Sequence, residues 1–131
     1  MPTPRQQPSD AEWKVLHALW RRGKATSREL LGDLSAEDWA YTTLKTMLTR
    51  MEEKGFVRSK PMRNAAQYEP LLTRGEAQRS ALRTLIERVF EGASGPLLAH
   101  LAEEERLSED DRAALEKRLR ASESKGRRHG R

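Results

Sequence analysis

Thr42, Lys45, Thr46 and Thr49 recur at the i, i+3, i+4, i+7 spacing that places side chains on one face of an α-helix. A threonine hydroxyl can donate to or accept from a base edge or a phosphate, and its methyl can pack on a thymine methyl. A lysine ammonium can donate to guanine acceptors or to phosphate. Leu44, Met47, Leu48 and Met51 repeat the same spacing on another face, so one side of the helix can pack while the other binds. Periodicity alone fits an ordinary solvated face equally well. Three β-branched threonines are poor choices for an exposed helix interior, however, and a surface task explains their presence better. Tyr41 and Thr43, in the first turn, fall near the edge of a DNA groove, and Arg50, farther along, suits a backbone contact. Two flanking sites complete the set. Thr26, Ser27 and Arg28 can hold a phosphate with backbone N–H groups and a guanidinium at a helix start, and Arg63 can reach a phosphate or the minor groove from a turn. Taken singly, Arg63 also fits a solvated turn residue.

These side chains need elements to aim them. Ser9 or Asp10 can cap a helix running to Arg22, with Trp13, Leu16 and Trp20 widened by Val15 and Leu19 into one apolar stripe and Gly23 as its stop. Extended Ala25-Thr26 follows, then a short helix capped by Ser27 that carries Leu30, Leu31 and Leu34. After a polar turn at Ser35–Asp38 the third helix spans Trp39–Lys54, ended by Gly55. Phe56–Lys60 and Gln67–Leu71 are extended, joined by 61–66 with Arg63 and Asn64 at the tip. Three helices and a two-stranded ribbon in this order predict a winged helix-turn-helix. Trp13, Trp20 and Trp39 are expected as packing residues.

From Thr73 the character changes. Thr73-Arg-Gly-Glu76 is a capping box, and Leu82, Leu85, Ile86, Val89 and Phe90 stripe the helix behind it. Gly92–Gly95 breaks that helix. Pro96 opens another with Leu97, Leu98 and Leu101, and Ser108 caps a last one with Leu115 and Leu119. These stripes carry too little bulk for a core of their own, so pairing with a second copy is expected. The chain therefore reads as a mainly α protein with a small β-hairpin: a disordered arm (1–8), a winged-helix DNA-binding domain (9–72), a helical dimerisation segment (73–122) and a disordered basic tail (123–131).

The net charge of +5 is uneven: Lys and Arg against Asp and Glu number 12 and 9 over residues 1–72, 9 and 11 over 73–124, and 4 and 0 over 125–131. The basic front and tail suit phosphate, and the acidic middle suits another task. The absence of cysteine excludes disulfides and thiolate chemistry and fits a reducing cytoplasm. His17, His100 and His129 share no helix face, and no nucleophile triad or phosphate loop appears, so neither a metal, a cofactor nor an enzyme is expected. No signal peptide or membrane span is expected.

Several stretches together resemble the bacterial penicillinase repressor family, which includes the methicillin-resistance and copper-transport repressors. They are Ser9-Asp-Ala-Glu-Trp13 with Leu19-Trp20, Thr26-Ser-Arg-Glu-Leu30, Trp39-Ala-Tyr-Thr-Thr43 with Lys45-Thr46, Glu53-Lys-Gly55, Tyr68-Glu-Pro70, and Leu97 to Ser108. The resemblance implies a homodimeric repressor on palindromic double-stranded operator DNA, controlling resistance, efflux or stress genes. It also implies a sensor-linked protease as a partner, cutting near His100-Leu101. The best-known members carry Asn-Phe at that bond, and the copper-responsive branch uses C-terminal cysteines that this chain lacks. The family wing often carries Gly-Arg where Arg63-Asn64 stands here. One other reading remains open, a winged helix used to dock proteins, which predicts little duplex affinity at moderate salt; against a third, an enzyme acting on nucleic acid, the missing metal ligands and nucleophile count heavily.

Overall fold

Helix α1 (Asp10–Arg22) starts at a reciprocal capping box, the Glu12 N–H donating to Ser9 Oγ and the Ser9 N–H to the Glu12 carboxylate. It stops at Gly23, whose φ of 85° a residue with a side chain adopts only under strain. The computed structural model describes residues 7–104 and 108–129, the side chains of Leu119 and residues 122–129 excepted.

Strand β1 (Ala25–Thr26) leads directly into α2 (Ser27–Asp33), and a single turn of 3₁₀-helix at Ser35–Glu37 follows. Asp38, at φ 58°, reverses the chain into α3 (Tyr41–Glu53), and a hairpin is formed by β2 (Val57–Pro61) and β3 (Ala66–Pro70). Both hairpin strands lie within one residue of their expected bounds. The ribbon is not two-stranded, however: β1 pairs antiparallel with β3, giving a sheet ordered β1-β3-β2. Two residues are too few to show a strand's alternation, and the partner lies some forty residues away, so only the folded chain reveals the pairing.

The core of this first unit is built from Val15, Leu16 and Leu19 of α1, Leu30 of α2, Leu44, Leu48 and Met51 of α3, and Phe56 and Val57, all fully buried. Trp13, Trp20 and Trp39 pack partly buried against it, and Trp20 Nε1 donates to the Leu72 carbonyl at 3.0 Å.

Helix α4 (Arg74–Val89) begins with the expected Thr73/Glu76 reciprocal cap. The chain divides into units 1–84 and 85–131, not at residue 72. Ala77 and Ser80 are buried, so the first half of α4 belongs to the winged helix. Gln7 and Pro8 also differ from the expected arm: Pro8 is buried and Gln7 Nε2 donates to Ser80 Oγ at 2.6 Å. Residues 1–6 of that arm lie outside the described residues.

In the second unit, α5 (Ser94–Glu103) follows the break at Gly92, with Pro96 in its first turn. The Asp111 N–H donates to Ser108 Oγ at the start of α6 (Glu109–His129). α6 continues past residue 122, where the ordered chain was expected to end. In that stretch Glu123, Lys125, Arg127 and Arg128 favour a helix, Ser124 and Gly126 oppose it, and no proline interrupts it. Among the described residues no helix is long and apolar enough to cross a membrane.

Candidate nucleic-acid interface

Burial of Leu44, Leu48 and Met51 fixes how α3 is rotated. The opposite face therefore points outward, and Thr42, Thr43, Thr46, Thr49 and Arg50 are all exposed on it. Thr49 Oγ1 donates back to the Lys45 carbonyl at 3.0 Å, which orients its hydroxyl without using its lone pairs. Ala40 occupies the N-cap of α3 and provides no side-chain cap, unlike Ser9 of α1 and Thr26 of α2. The free N–H groups and positive end of α3 are thus directed at whatever it meets, an arrangement suited to phosphate.

Lys45 departs from expectation. It is half-buried, its Nζ donates to the Tyr68 hydroxyl at 3.0 Å, and it lies 5.4 Å from that ring's centroid. The Tyr68 hydrogen bond, opposed by partial burial, raises the lysine pKa, so the ammonium stays charged.

The second-helix site is also rearranged. Thr26, not Ser27, caps α2: its Oγ1 accepts from the Glu29 N–H while the Glu29 carboxylate accepts from the Thr26 N–H. Ser27 is buried and its hydroxyl lies 3.1 Å from the Tyr41 hydroxyl, so it joins α2 to α3 instead of facing phosphate. Thr26 is the better cap because it is still extended and its oxygen lies over the first-turn amides. Arg28 remains exposed, its guanidinium 4.9 Å above the Tyr41 ring. That stacking holds a cation at the edge of the α3 face.

On the other flank a groove of about 560 Å³ runs between α1 and α3, lined by Ser9, Glu12, Thr42, Thr43, Thr46, Met47, Arg50 and Lys54. At its floor, Lys54 Nζ bonds both carboxylate oxygens of Glu12, at 2.8 and 3.1 Å, and Glu12 is only 4% exposed. Burial pushes this carboxyl up, but the hydrogen bonds and charge of Lys54 with the Ser9 donors outweigh it, and its pKa falls below 4.5. Arg63 lies exposed at the hairpin tip, where the Met62 N–H donates to the Ala65 carbonyl at 2.8 Å. The Glu12–Lys54 pair and the Tyr68 contact are not legible in the sequence. Their partners are 42 and 23 residues apart, and only the Tyr68-Glu-Pro70 stretch gave any signal.

The pattern of the penicillinase repressor family matches residues 8–121. The chain belongs to the penicillinase repressor family. The methicillin resistance regulatory protein MecI of Staphylococcus aureus is 28% identical over 104 residues, 79% of this chain and 85% of that protein. The penicillinase repressor of Bacillus licheniformis is 24% identical over 106 residues, 80% and 83%. Among solved structures, the DNA-binding domain of the repressor BlaI aligns with a TM-score of 0.49 at 26% identity, covering 57% of this chain and 90% of that one. The family consists of DNA-binding transcriptional repressors, not enzymes.

In this member of the penicillinase repressor family the expected pairing residues are distributed unevenly. Leu82, Leu85, Val89 and Leu98 are 47, 40, 63 and 39% exposed, an unusual amount of aliphatic surface. Ile86, Phe90, Leu97, Leu101 and Leu115 are half-buried, and the Leu119 side chain lies outside the described residues. His100 and Leu101 sit within α5, the His100 ring 6.0 Å from Phe90.

Proposed function

We propose that the protein is a cytoplasmic homodimer that represses resistance, efflux or stress genes by placing its two α3 helices in successive major grooves of a palindromic operator. The observation that carries this reading is the continuous exposed face of Thr42, Thr43, Thr46, Thr49 and Arg50 on a helix otherwise held by its core face. Arg28 and Arg63 flank it as backbone contacts. Leu82 and the apolar residues from Leu85 onward supply the pairing, and release by a sensor-linked protease acts near His100-Leu101. That bond is helical, so cleavage requires α5 to open locally.

Selection of bound duplexes from a random-sequence pool tests the core of this reading. A two-fold symmetric consensus, bound with a steep salt dependence, is expected. Weak binding without a consensus at moderate salt favours the protein-docking alternative. Changing Lys45 and Thr46 together to Ala is expected to cost about 2 kcal/mol on the selected duplex, roughly thirtyfold, and much less on a scrambled one. Competition titrations measure the ratio, and an unaltered preference removes these residues from base reading.

A further inference from the structure

Tyr68 is the centre of the sheet. It pairs with Ala25 on one side and Ser59 on the other, and it is 4% exposed. Its backbone and ring are therefore among the least free in the winged helix, yet its hydroxyl reaches the Lys45 ammonium on the binding helix at 3.0 Å. Lys45 leans from the outward face of α3 toward the sheet, between the exposed Thr42, Thr46 and Thr49 and the buried Leu48.

An ammonium carries three donors, and the phenol takes one, leaving two for guanine acceptors. A free lysine on a helix surface must lose most of its rotamer freedom to make such a contact. Here that freedom is already restricted by the hydrogen bond to a buried phenol. We infer that Tyr68 is a positioning residue for DNA reading: its phenol holds the Lys45 ammonium in the free protein at the place where α3 presents it to base edges. This rests on the base-reading role given to α3 above. It extends that role to a strand residue buried in the sheet. It also ties β3, and through the hairpin the wing, to the chemistry of α3.

Tyr68→Phe tests the inference, since it keeps the ring in the core and removes only the hydroxyl. The probe is the duplex that wild-type protein selects from a random pool, with a scrambled duplex of the same composition beside it. Tyr68→Phe is expected to weaken selected-duplex binding about fivefold, the equivalent of the ~1 kcal/mol that immobilising one long side chain costs, with a smaller loss on the scrambled duplex. In a Lys45→Met background the same change is expected to have no effect on either. Unchanged or tighter binding by folded Tyr68→Phe, which a merely sequestering phenol would produce, overturns the inference. So does a loss that persists without Lys45.

A measurement on wild-type protein needs neither a variant nor DNA. The ¹⁵N order parameter of the Lys45 ammonium is expected to exceed those of the exposed Lys24 and Lys60. An ammonium as mobile as theirs overturns the tether even if Tyr68→Phe does not fold. A pool that yields no consensus defeats the DNA-reading role itself, and the order parameter still decides whether the tether exists.

Discussion

Replacing Leu85 and Val89 together by glutamate is expected to convert the protein to monomers and to lower its affinity for a selected palindromic duplex by about 10²- to 10⁴-fold. The two side chains are 40% and 63% exposed on α4, so the single chain folds without burying them, and glutamate is a good helix former. Their loss is felt in the pair, where each aliphatic side chain removed from water contributes about 1.5–3 kcal/mol and two carboxylates would have to be buried instead. The effect on DNA follows from linkage. Once one half of a dimer is seated, the other binds at a high effective concentration, and a monomer loses that factor without losing a single base contact. Sedimentation shows the oligomeric state, titration of full and half palindromes shows the coupling, and circular dichroism confirms that helices remain. A dimer that survives the double change moves the interface away from α4.

Lys54→Met is the second large effect, and it acts on the fold instead of the pair. Lys54 is the partner of both Glu12 oxygens, and Glu12 is almost wholly buried beneath the groove between α1 and α3. Removing the cation leaves a buried carboxylate with only the Ser9 donors. The expected cost is about 3 kcal/mol near neutral pH, at the low end for a broken buried pair because the Lys54 side chain is 31% exposed and water can enter.

The pH dependence identifies the cause. In the wild-type protein the Glu12 pKa lies below its ordinary 4.5, so the pair's contribution is present above 4.5 and is lost as the pH falls through the lowered folded value. In Lys54→Met, burial acts without the compensating charge and the carboxyl moves up. The variant's deficit is therefore expected to shrink as the pH falls from neutral toward 4.5, and Glu12→Gln added to Lys54→Met to recover part of the stability. Urea midpoints across that range measure both. Equal midpoints at neutral pH exclude the pair as a lock between α1 and α3.

Single residues show how far the sequence reaches. The period of Leu44, Leu48 and Met51 determines which face of α3 is buried, so Thr42, Thr46 and Thr49 could be assigned to the outside before any coordinates. Caps are local too, and Ser9, Thr73 and Ser108 stand where their types and spacing put them. Ser27 was legible as a candidate cap and phosphate contact, not as a link between α2 and α3. Two adjacent hydroxyl residues compete for one position, and what decides between them is the strand pairing of Thr26 with Gln67 and the Tyr41 hydroxyl waiting for Ser27.

By itself, then, the sequence determined the order of helices and hairpin, the outward threonine face, the family, and the exposed aliphatic stripe of α4, because each depends on periodicity or on neighbours within a few positions. The third strand, the docking of Gln7 on Ser80, the Glu12–Lys54 lock and the hold of Tyr68 on Lys45 were decided only by the tertiary structure. The physical reason is common to all four. A hydrogen bond or ion pair between distant residues depends on where the core packs their backbones, and the charge and hydroxyl that form it look, in the linear chain, like any other surface lysine, glutamate or tyrosine.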